Sequence, residues 1–118
     1  MKLQFMAASL LTLHLTSSSA MSGSQLNTLC HGAEGGVYQA YCAGYIRGSM
    51  DGLESMRAVH MMYAPEGPRI QGFCIPGATV LGDIVDVVKK FLNDNPQDRG
   101  DPASLLVNHA LITAFPCK

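Results

Sequence analysis

The residues of this 118-residue chain best equipped for chemistry are its four cysteines, Cys30, Cys42, Cys74 and Cys117. Their spacing does not suit a metal, because zinc sites bring cysteines or histidines together in short pairs and the chain has no Cys-x-x-Cys or His-x₃-His run. A nucleophilic cysteine needs a free thiolate beside a base. An even count in a short chain bound for an oxidising compartment instead reads as a disulfide framework. Three connectivities are open. Cys42 falls in a long helical segment and Cys74 where the chain re-enters the core, while Cys30 and Cys117 lie towards the two ends. Those positions favour Cys42–Cys74 and Cys30–Cys117.

The other reactive side chains form no constellation. Met50, Met56, His60, Met61 and Met62 offer thioethers and an imidazole that would suit Cu(I). Methionine more commonly fills gaps in cores or adaptable contact surfaces, and that reading is preferred. His31, His60 and His109 are dispersed, which suits surface or capping roles. Asp83 and Asp86 precede Lys89 and Lys90 as on an ordinary solvated helix face. No glycine-rich loop joins a strand to a helix. The sequence therefore assigns no catalytic residue, no metal and no cofactor, and predicts a binding protein rather than an enzyme.

These side chains must be carried by a domain made for export. Lys2, the apolar run Leu3 to Leu15 and the small residues Ser17 to Ala20 read as a secretory signal peptide over 1–20, with cleavage after Ala20. The run is too short for a membrane span, so the mature chain is expected to have none. Losing Lys2 takes the formal net charge from −1 to −2. With no cationic cluster, nucleic acid is excluded as a partner. Residues 21–118 make one domain. A chain of that size buries only about 60–70% of its unfolded surface, so cross-links worth on the order of 3–4 kcal/mol each would matter.

The predicted fold class is all-α: a small single-domain helical bundle with a long N-terminal helical segment and a C-terminal antiparallel helix pair, stapled by two disulfides. Met21 to Ser24 read as a polar leader. A helical segment runs from near Ser24 to about Met62, with a break at Gly35-Gly36. Gly32, Gly36, Ala40, Gly44, Gly48 and Gly52 recur every four residues. Each helical glycine costs roughly 1 kcal/mol relative to alanine, so Gly44 to Gly52 are expected to admit a close-packed backbone. A larger side chain at Gly48 should then clash. Tyr38, Tyr41 and Tyr45 fall at core spacing. Tyr63 to Gly72, with two prolines and two glycines, is a loop. Leu81, Ile84, Val85, Val88, Phe91 and Leu92 mark a helix capped by Thr79. Asp101-Pro102 start the last helix, and Pro116 ends it.

Cys42-Ala-Gly-Tyr-Ile-Arg-Gly48, Phe73-Cys-Ile-Pro76, the helix Val80 to Leu92, Asn95-Pro96, Ala103, and Ala110-Leu111 with Ala114-Phe115-Pro116-Cys117 together resemble the Rap/Tai family of type VI secretion immunity proteins. The resemblance spans roughly Cys30 to Cys117. It implies a periplasmic, mostly helical and often dimeric protein that neutralises a cognate peptidoglycan amidase effector, with the matched positions serving the fold. Inhibition would then be steric, by a loop occupying the enzyme's cleft. The candidate partner-binding residues are Asn93, Asp94, Asn95, Gln97, Asp98, Arg99 and Asp101, between two capped helices, with Tyr63 to Gly72 as the other loop. A periplasmic chaperone or envelope-structural protein without a toxin partner is the alternative, and a copper carrier a third.

Overall fold

A computed structural model describes residues 19–118, leaving nearly all of the expected signal peptide outside the described residues. Four helices follow in order: α1 (Gly23–Cys30), α2 (Val37–Tyr63), α3 (Leu81–Asp94) and α4 (Ala103–Ala114), with a 3₁₀ turn at Pro96–Asp98. No strand occurs among the described residues. None of their helices is long and apolar enough to cross a membrane.

The break in the N-terminal segment falls where glycines allow it. Gly35 adopts φ +70°, the left-handed region that glycine enters at little steric cost, and Gly36 is the N-cap of α2. The reversal folds α2 back onto α1 and sets the disulfide pairing. Cys30, ending α1, meets Cys42 with Cα atoms 5.0 Å apart, and Cys74 pairs with Cys117 at the same separation. The expected Cys42–Cys74 and Cys30–Cys117 bridges are thus replaced by Cys30–Cys42 and Cys74–Cys117. Cys42 is taken by the helix that immediately precedes its own. Cys74 is drawn to the C-terminus because its N–H donates to Phe115 O at 2.8 Å, beside a Phe73–Pro116 bridge.

The core is a single apolar cluster. Leu26 and Cys30 from α1, Cys42, Ile46 and Leu53 from α2, Ile84, Val88 and Leu92 from α3, and Leu106, Val107, Ala110 and Leu111 from α4 are buried together, with Phe73 entering from the loop. Within each helix the set recurs at one or two helical turns, as one helical face must. No charged or polar residue is buried among them. The short connection returns α4 against α3, giving the expected C-terminal pair.

Several local expectations shift. Met21 to Ser24 are not a leader: Ser22 caps α1, its Oγ accepting from Gln25 N (3.2 Å) while its own N–H donates to Gln25 Oε1 (2.9 Å). That reciprocal pair satisfies two amide donors that would otherwise lack partners. Thr79 closes a turn by donating its N–H to Pro76 O, and α3 begins one residue later than that cap requires, at Leu81 with Val80 as N-cap and no side-chain cap. Pro102 is the N-cap of α4 rather than its first residue. Tyr38 and Tyr41 point outward, because Cys42 and Ile46 take the inner face of α2.

Candidate partner-binding surface

The connection between α3 and α4 is held tightly by its own backbone and by α1. Asn95 closes α3, its Nδ2 donating to Phe91 O at 2.8 Å. Asp98, Arg99 and Asp101 N–H groups donate back to Asn95, Pro96 and Asp98 carbonyls, building the 3₁₀ turn and its exit. The first N–H groups of α1 have no partners within their helix. They are satisfied here: Gly23 N donates to Asp101 O (2.9 Å) and Ser24 N to Arg99 O (2.8 Å), with Ser24 Oγ also reaching Arg99 O (3.3 Å). Gly23 permits this approach, since a Cβ there would sit 3.0 Å from Arg99 Cα and would overlap Leu106.

This geometry divides the seven candidate residues. The Arg99 guanidinium turns inward, Nε donating to Leu92 O at 2.8 Å, so Arg99 ties the connection to the end of α3. Asn95 is spent on its cap, and Asp98 is half-buried, with Gln97 Nε2 donating to its Oδ2 at 3.4 Å. Asn93, Asp94, Gln97 and Asp101 face solvent. Asp94 pairs with Lys90 one turn earlier. The structure therefore brings four of the seven to the outside of a stiff turn and uses Asn95 and Arg99 to hold it.

A second surface is one that the spacing misjudged. Nothing lies within 4 Å of a Cβ built at Gly44, Gly48 or Gly52, so among the described residues none packs on these three glycines. Val37, Tyr41, Gly44, Tyr45, Gly48, Gly52, Met56, Val59 and Tyr63 follow at helical spacing along one outer face of α2. Tyr45 is half-buried and the others are exposed. Shallow hollows of about 390 and 500 Å³ lie along it, one lined by Met21, Ala40 and Tyr41, the other by Gly52, Met56 and Asn108. Asn108 Oδ1 is shielded from solvent and accepts no hydrogen bond. Arg47 and Asp51, at the edge of this face, pair with each other at 3.3 Å.

The histidines serve the scaffold or stand apart. His31 Nδ1 lies 2.9 Å from Asn27 O at the end of α1, and His109 meets Phe91 edge-on with centroids 5.1 Å apart. Met50 packs against the core, whereas Met56, Met61 and Met62 are exposed along α2. Among the described residues no three histidine, cysteine or acidic side chains converge as metal ligands, and all four cysteines are bridged.

No curated protein and no solved structure matches the chain. The family model described as Rap1a immunity proteins matches residues 22–117, from the N-cap of α1 to the last cysteine. That match takes in all four helices of the described residues and both disulfides, so the chain belongs to the Rap1a immunity protein family, and its role is that of an immunity protein whose partner is a toxin effector.

Proposed function

We propose that this protein is exported to the periplasm, where it binds a type VI secreted peptidoglycan amidase and blocks its cleft sterically. The family match carries the reading, and the two disulfides suit the oxidising compartment to which a signal peptide over residues 1–20 would deliver the chain. The contact is made by the outer residues of the α3–α4 connection, Asn93, Asp94, Gln97 and Asp101. A turn already fixed at both ends loses little conformational entropy on docking, so more of the contact energy appears as affinity. Replacing Asn93 and Gln97 by alanine should speed dissociation from the amidase in surface plasmon resonance and leave stability within about 0.5 kcal/mol. Unchanged dissociation would move the contact elsewhere.

The outer face of α2 fits a second copy of the chain. Gly48 lies midway between Tyr41 and Met56, so two α2 helices crossing at their glycines about a two-fold axis would each meet the other's larger side chains. Closed two-fold symmetry requires such a self-complementary patch. Close approach would offset the roughly 1 kcal/mol that each helical glycine costs. Sedimentation velocity checks it: a dimer is expected for the parent and a monomer for Gly48→Leu.

A further inference from the structure

We infer that the hollow between the last turns of α2 and the loop that follows is a binding site for a carboxylate. The hollow measures about 150 Å³ and is lined by Arg57, His60 and Arg69 together with Met61, Pro65 and Ile70. Two arginines and a histidine thus line one hollow in a protein whose formal net charge is −1. Arg57 and His60 are placed by different contacts. Arg57 Nη1 donates to Glu54 Oε1 at 2.9 Å, and the guanidinium lies against Gly72, where any Cβ would overlap it. His60 is covered by the turn closed by Gly67 N donating to Ala64 O at 2.9 Å, and its Nε2 is shielded from solvent with no partner.

Arg69 makes no hydrogen bond or ion pair among the described residues, unlike Arg47, Arg57 and Arg99. Glu54 pairs with Arg57, so among the described residues the two arginines of the hollow meet one paired carboxylate. Glu66, on the same turn, is exposed and does not line the hollow. A planar carboxylate matches the two-pronged donor geometry of a guanidinium, and the apolar rim of Met61, Pro65 and Ile70 would shield that pair from water. The carboxylate is either a free small acid or an acidic side chain of a protein bound to this end of α2. This site shares no residue with the α3–α4 connection, and its test needs no toxin.

The test is a heteronuclear NMR titration of the whole mature protein at pH 7 with sodium acetate, reading the His60 ring signals against sodium chloride at equal ionic strength. A saturable shift of His60, absent from His31 and His109, with a dissociation constant in the millimolar range is expected. Arg69→Gln, an exposed substitution that leaves the fold intact, should weaken it about tenfold. A parallel titration with acetyl-Leu-Glu-Leu-amide separates the sources. Binding at least tenfold tighter than acetate assigns the site to an acidic side chain, and equal or weaker binding assigns it to a free acid. A shift that does not saturate, that chloride reproduces, or that Arg69→Gln leaves unchanged overturns the inference.

Discussion

Removing the Cys74–Cys117 bridge by alanine at both positions isolates what the cross-link alone contributes. Both residues are exposed, so the substitutions leave no cavity in the core. The bridge spans 43 positions of chain. Constraining a loop of that length in the unfolded state is worth about 4 kcal/mol, against a total stability of about 5–15 kcal/mol for a domain this small. At roughly 4–8 °C per kcal/mol, the melting temperature should fall by roughly 15–30 °C. The native arrangement should survive at low temperature, because Phe73 remains buried and Cys74 N–H still has Phe115 O as its acceptor. Urea unfolding followed by circular dichroism gives the free energy directly. A loss below about 1 kcal/mol would refute the argument that closure of this loop limits the stability of the domain. The pairing itself is checked by non-reducing tryptic mapping. Peptide 70–89 should be joined to 100–118, and no linkage should connect Cys42 to Cys74.

Two further outcomes follow from the positions of particular side chains. Arg99→Ala should cost about 1.5–3 kcal/mol in chemical unfolding, because it removes a charged donor from the half-buried Leu92 carbonyl, whereas Gln97→Ala should change stability by less than about 0.5 kcal/mol. Equal effects of the two would contradict the division of the connection into holding and presenting residues. Gly48→Ala should stabilise the monomer in dilute solution by up to about 1 kcal/mol, since its Cβ meets nothing, while weakening self-association measured by sedimentation. Destabilisation of the monomer would mean that the chain itself packs on the glycine row.

What could be read from the sequence depended on how one-sided each element is. In α3 the apolar residues share one face, and Ile84, Val88 and Leu92 are buried as their period requires. In α2 apolar and small residues occur all round the helix, so periodicity could not choose between the Cys42–Ile46–Leu53 face and the Tyr41–Gly44–Gly48 face. The tertiary fold chose the first and left the second outside. The disulfide pairing escaped for a related reason, because it follows from the direction of the reversal at Gly35, which spacing between cysteines does not encode. Of the α3–α4 connection, its place between two helices was legible. The inward turn of Arg99 was not, since it depends on a carbonyl seven residues earlier and on the docking of α1.

The central claim is that the protein protects by occupying a toxin rather than by any turnover of its own. Titrating the purified mature protein into the proposed cognate peptidoglycan amidase, and following cleavage of isolated cell-wall sacculi, tests it most directly. Inhibition should rise linearly and become complete at one copy of this protein per enzyme, with no modification of the amidase detectable by mass spectrometry. Full amidase activity at a tenfold molar excess, or inhibition by catalytic amounts, would contradict the account.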